Sequence, residues 1–201
     1  MRVLVVGPGG CASTALIQML SAYPGIQCNR ADNADCQKHQ RRPPKDLAKR
    51  YDACIFLYGP LHAAVASLFR RGYVKPQLAE RNLGNPQGVD LDISLEAYIS
   101  KALAAGRDLL GIQEQAEAWL AHRGPPGVLF LDVSLIGTRY FDQQLRRHLQ
   151  ARGLPATRAV QRATDLSGLP PAFVKLYEDL RLRIKREATD RLKKRRRPHN
   201  P

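Results

Sequence analysis

The sequence predicts an α/β fold in which a parallel sheet lies between two layers of helices, a three-layer sandwich. The runs Arg2-Val3-Leu4-Val5-Val6, Ala53-Cys54-Ile55-Phe56-Leu57-Tyr58 and Gly127-Val128-Leu129-Phe130-Leu131-Asp132-Val133 are of strand length and apolar without polar alternation. Strands buried on both faces read this way. Each run leads through a turn into a helical pattern, and such units build a parallel sheet with helices on both faces because crossovers are right-handed.

The first strand, 2–6, enters Gly7-Pro8-Gly9-Gly10-Cys11-Ala12-Ser13-Thr14 and then a helix over 13–22 that Tyr23-Pro24-Gly25 ends by turn chemistry. Residues 26–28 form a second, short strand, and 29–50 is a polar loop or insertion carrying Pro43-Pro44. After the strand 53–58, Gly59-Pro60 turns the chain into a helix over 61–71. A helical pattern from 94 to 122 has Gly106 and Gly111 as break points. Ser94 fixes its start only loosely, because Ala97 stands where a capping box carries an acid. The strand 127–133 leads into a helix over 138–152. Beyond the break at Pro170-Pro171, a last helix over 172–194 grades into Arg195-Arg196-Arg197-Pro198. The expected division is an α/β domain over 1–169 and a basic C-terminal helix and tail over 170–201.

With 201 residues, 44% of them hydrophobic, the chain suits one domain with an appendage and a real core. Its net charge of +14 is uneven: residues 181–197 hold ten Lys or Arg against Glu187 and Asp190, a net +8. The remainder is mildly basic, which fits a small anionic ligand better than a broad nucleic-acid face. No aromatic residue follows Tyr177 in the basic stretch, so base stacking has no platform there. Non-specific contact with nucleic acid or an acidic surface, a nuclear-import address, or a solvated helix end all fit it. No apolar run approaches the roughly 18 to 20 residues that cross a bilayer, and the chain runs straight into its first strand, so a soluble, cytoplasmic protein without a transmembrane segment is expected.

The cysteines Cys11, Cys28, Cys36 and Cys54 lack C-x-x-C spacing and a His pair, which argues against a disulfide framework or zinc site and for reduced thiols. Cys11, at a helix start, is where a lowered thiol pKa is expected.

A strand, a glycine-rich turn and a helix N-terminus together form an anion site, because backbone N–H groups and the positive end of the helix dipole converge there. Three patterns fit the turn. Counted from Gly7, the nucleoside-triphosphate loop G-x-x-x-x-G-K-[S/T] puts Ala12, Ser13 and Thr14 in its last three places, without the lysine. The dinucleotide fingerprint G-x-G-x-x-[G/A] is met by Gly7, Gly9 and Ala12, with Asp32 near the place of a ribose-binding acid.

The third pattern draws on later segments. Gly9-Gly10-Cys11-Ala12-Ser13-Thr14 resembles the 5′-phosphosulfate loop of sulfotransferases, P-K-x-x-[S/T]-T, at the same strand-to-helix turn. Phe56-Leu57-Tyr58-Gly59-Pro60, with Ser67 and Arg70-Arg71 downstream, resembles that family's 3′-phosphate motif, R-[D/N]-P followed by a helical serine. Residues 110–119, ending at Trp119, and the following strand to Asp132 resemble its helix with a terminal tryptophan leading to an acidic turn. The resemblance covers residues 2–133 and matches in order and architecture more than residue by residue. It implies a P-loop nucleotide-binding fold, 3′-phosphoadenosine 5′-phosphosulfate as donor, and a hydroxyl or amine acceptor, with carbohydrate a candidate. Gly9, Gly10, Cys11, Ala12, Ser13 and Thr14 would hold the 5′ side of the donor, and Ser67 with Arg70 or Arg71 its 3′-phosphate.

Two residues depart from the family pattern: Gly10 stands in place of the lysine, and Tyr58 in place of the 3′-phosphate arginine. Backbone amides of residues 10–14 can bind phosphate without the lysine. A transferase would still need a cation near the leaving phosphate and a base for the acceptor. The loop Asp35-Cys36-Gln37-Lys38-His39 supplies both residue types, Lys38 as cation and His39 as base, unless both are solvated loop residues along with Arg41 and Arg42. His62 reads as a surface histidine at a helix start. Arg70 and Arg71 also suit the C-terminal end of a helix dipole. Asp132 sits where open α/β sheets place ligand contacts, and a helix-capping role for it or Ser134 fits equally.

Overall fold

The computed structural model describes residues 1–76, 92–158, 166 and 168–196, of which 192–196 by backbone alone. Four parallel strands, β1 (Arg2–Val6), β2 (Gln27–Cys28), β3 (Ala53–Tyr58) and β4 (Val128–Asp132), form one sheet in the order β2-β1-β3-β4. The three apolar runs are its three long strands. Every residue of β3 and β4 is buried, which is why they lack polar alternation.

Helices fill the connections: α1 (Ser13–Ser21), α2 (Leu47–Arg50), α3 (Leu61–Arg70), α4 (Leu95–Ala105), α5 (Ile112–Ala121), α6 (Arg139–Leu149) and α7 (Pro171–Arg196), with a 3-10 turn at Val133–Leu135. From β1 the chain steps outward to β2, whereas from β3 it steps the opposite way to β4. Right-handed crossovers in opposite directions put α1 and α3 on opposite faces, which gives the three layers. The connections diverge between β1 and β3, and the C-terminal edge of the sheet there is where such folds form a ligand crevice.

Local chemistry sets the helix bounds. Ser94 Oγ accepts from the Ala97 amide at 3.2 Å, and Gly106 ends α4 with φ +61°. Gly111, with φ +71°, opens α5, so the predicted helical stretch 94–122 is two helices broken at the two glycines. Between them Asp108, buried, accepts from the Leu110, Ile112 and Gln113 amides and from the Tyr98 and Tyr177 hydroxyls. One carboxylate thus caps α5 and ties α4 and α7 to it.

The basic helix belongs to the core. Phe173, Tyr177, Leu180, Ile184 and Ala188 are buried at helical spacing, and α7 packs against α3, α4, α5 and β4. Three of its arginines turn inward or sideways: Arg181 to Asp132, Arg183 to Glu117, and Arg191 over the Phe130 ring. Lys185 and Arg186 are exposed, while Arg197 and the side chains of 193–196 lie outside the described residues. Among the described residues no helix is long and apolar enough to cross a membrane.

Candidate functional site

The turn between β1 and α1 is shaped by close backbone approaches. A Cβ on Gly7 would lie 2.4 Å from the Leu57 carbonyl oxygen, so glycine lets the end of β1 meet β3. Gly10 has φ +84°, and a Cβ there would sit 3.0 Å from the Ala64 Cα on α3. A side chain at position 10 would be strained by that left-handed conformation and would press on the Ala64 backbone, so glycine is favoured there. Ala12, at φ 54°, is the N-cap and offers no side-chain acceptor to the first turn of α1. The helix start keeps its attraction for an anion. Cys11 is 1% exposed, so the thiol at the helix start is shut away from reagents, and none of the four cysteines is in a disulfide.

The loop after β2 folds over this turn. Asn29 extends the sheet edge with its side chain, Oδ1 accepting from the Val5 amide at 2.7 Å and Nδ2 donating to the Val5 carbonyl at 3.0 Å. Asn33, at φ 62°, accepts from the Lys38 amide through Oδ1 at 2.8 Å. Gly7 is then gripped twice. Its amide donates to the Lys38 carbonyl at 3.1 Å, and its carbonyl accepts from His39 Nδ1 at 2.9 Å. Helix α5 holds the far end of the loop: Gln115 Nε2 donates to the His39 and Gln40 carbonyls, Trp119 Nε1 donates to the Gln40 carbonyl, and Arg41 pairs with Glu114.

Lys38 and His39 are therefore not solvated loop residues, being 8% and 6% exposed. The Lys38 ammonium donates to the Ala31 carbonyl at 2.7 Å and to Thr14 Oγ1 at 3.2 Å, which brings a cation to the first turn of α1. The His39 ring carries its Nδ1 proton toward Gly7 and so positions the turn. Thr14 and Ala31 also line an open cleft of about 450 Å³, shared with Gln18, Arg30 and Asp32. In it Arg30 makes two hydrogen bonds to the Asp32 carboxylate, which hold that carboxyl well below the usual carboxylate range.

The second predicted cluster is less convergent. Ser67 is half-buried one turn beyond Ala64, within the α3 stretch beside Gly10. Arg70 and Arg71 lie nearly two turns beyond Ala64. The Arg71 Nε donates to the Ser67 carbonyl at 3.0 Å, and its guanidinium stacks on Tyr73, 5.2 Å from the ring centre. Arg71 thus finishes its own helix, as cations at helix C-termini do.

At the ends of β3 and β4, Asp132 is buried and takes two hydrogen bonds from Arg181, at 3.0 and 2.8 Å, on one oxygen. The other oxygen accepts from the Ser134 amide and hydroxyl, so Asp132 both caps the 3-10 turn and anchors α7. Arg181 also pairs with Glu178. Tyr58, register partner of Asp132, has its phenol pKa raised by burial and then by the Asp132 charge. His62 is only partly exposed, and burial lowers its pKa. Among the described residues no group of His, Cys, Asp or Glu converges as a metal site. Asn29, Gln115 and Arg181, which position these groups, escape sequence reasoning because their partners are distant in the chain.

Searches with protein-family models, among curated proteins and among solved structures find no match to this chain.

Proposed function

We propose that the chain binds the phosphate end of an adenosine nucleotide at the start of α1, with Lys38 supplying the cation that the glycine-rich turn lacks. The observation behind this reading is the Lys38 ammonium seated on Thr14, beside a helix start that no side chain caps. Sulfuryl and phosphoryl transfer depend chiefly on positioning and on stabilising charge at the leaving oxygens. A turn of amides backed by an ammonium answers that need. The sulfotransferase resemblance names the donor as 3′-phosphoadenosine 5′-phosphosulfate and the acceptor as a hydroxyl or amine. Ser67, one helical turn beyond the Ala64 that meets Gly10, is the remaining candidate for a second phosphate, whereas Arg71 is engaged at its own helix end.

A thermal-shift comparison of adenosine 3′,5′-bisphosphate, ATP with magnesium, and NADP tests the reading, since a ligand of the folded state raises apparent stability. The bisphosphate alone is expected to shift the transition, and Lys38→Met to weaken its binding about tenfold or more, or 1.4 kcal/mol. No shift with the bisphosphate in the unaltered protein defeats the donor assignment.

One observation favours a second reading, a dinucleotide site. β2 pairs in parallel with β1, and just beyond it Arg30 and Asp32 line the same cleft as Thr14. In dinucleotide folds an acid there holds a ribose hydroxyl, and a nearby arginine accommodates the 2′-phosphate of NADP. A shift with NADP that disappears in Arg30→Ala selects this reading over the first.

A further inference from the structure

A second cavity opens on the other flank of α1. Ala15, Leu16 and Met19 face Ile136, Pro155 and Ala156 across a space of about 360 Å³. That volume lies within the roughly 300–1,000 Å³ of small-molecule sites. Thr14 and Gln18 line the open cleft described above, while Ala15 and Met19 are turned about 100° around the helix from them. The two spaces therefore lie on different sides of the same helix.

The far wall is fixed in place. Asp142, buried on α6, accepts from the Thr157 amide at 3.0 Å and from its hydroxyl at 2.7 Å, and the same hydroxyl accepts from the Gly137 amide at 2.8 Å. Thr157 lines the cavity with its hydroxyl proton donated to Asp142 and its oxygen accepting from the Gly137 amide, so it has no proton to offer an anion. Among the described lining residues, only the exposed Arg158 then offers a side-chain donor or a charge. The side chains facing the space are otherwise apolar, so contact there favours an apolar body over a polyhydroxylated one. Because its wall is preformed, the site orders little on binding.

We infer that this cavity binds a small amphiphilic anion, an apolar body seated between α1 and the 155–157 segment with its sulfate, sulfonate or carboxylate head on the Arg158 guanidinium. The inference does not depend on the nucleotide reading, since it uses neither Lys38 nor the glycine-rich turn.

Titration of the full-length protein with 2-naphthyl sulfate and, separately, with 2-naphthol tests it by calorimetry. Saturable one-to-one binding of naphthyl sulfate is expected. Ala15→Phe and Ala156→Phe, both at exposed positions, fill the cavity and should each weaken it about tenfold or more while leaving the melting temperature unchanged. Arg158→Ala should weaken the sulfate about tenfold and leave naphthol unaffected. Absence of binding by the unaltered protein, unchanged affinity in both filled variants, or equal weakening of both compounds by Arg158→Ala would each overturn the proposal. Adenosine bisphosphate added to the same samples reports on the phosphate turn independently, so the two readings fail separately.

Discussion

At the scale of single residues, Gly10 and Lys38 form a complementary pair. A side chain at position 10 would press on the Ala64 backbone in a left-handed conformation, while the Lys38 ammonium reaches Thr14 from a loop 24 positions further on. Gly7 is constrained just as tightly by the Leu57 carbonyl. Gly7→Ala is expected to lower stability by about 1 to 3 kcal/mol, the range for overpacking a close-packed site. Urea unfolding monitored by circular dichroism checks this, and a loss below about 0.5 kcal/mol would show the strands parting cheaply. The turn was legible in the sequence because strand, glycines and helix are contiguous. Lys38 was legible as a residue type but not in its burial. Its position depends on Gln115 and Trp119, which hold the loop from 75 and 79 residues away.

At the scale of elements, two buried carboxylates join helices to the rest. Asp132 at the end of β4 is matched by Arg181 of α7, whose side chain is 20% exposed against 3% for the acid. Removing one partner of such a pair strands the other, so Arg181→Ala is expected to cost about 3 kcal/mol, with Asp132→Asn in the same background recovering part of it. Equal stability of Arg181→Ala and the unaltered protein in chemical denaturation would place that pair among weak surface contacts. The second carboxylate, Asp108, receives the Tyr98 and Tyr177 hydroxyls, and burial followed by the Asp108 charge raises both phenol pKa values. The unfolded chain releases these protons near pH 10, whereas the folded protein retains them. Stability should therefore be level below about pH 10 and fall as pH rises above it. A lower urea midpoint at pH 10.5 than at pH 8, with the drop reduced in Tyr177→Phe, is the expected result; the same drop in both proteins would remove these tyrosines from the account.

For the whole molecule, the order β2-β1-β3-β4 brings the turn after β1 and the turn after β3 together at the point where the connections diverge. The three long strands and their helices could be read from apolar runs of strand length, because a buried parallel sheet leaves that pattern along the chain. The place of α7 could not. Its stripe of Phe173, Tyr177, Leu180, Ile184 and Ala188 is interleaved with arginines and lysines, so local charge conceals a face that only tertiary contact reveals as core. β2 was equally faint, since two residues of ladder are continued by the Asn29 side chain rather than by apolar sequence.

Whether a phosphate is held at the start of α1 beside Lys38 can be read by titrating adenosine 3′,5′-bisphosphate into nitrogen-15-labelled protein and following the backbone amide resonances. Saturable shifts are expected in the amides of Gly10 to Thr14 and of Lys38, with about tenfold or more ligand needed for the same shifts in Lys38→Met while the spectrum stays folded. Saturable shifts that leave these amides untouched, or that persist unchanged without the ammonium, would contradict a phosphate held there.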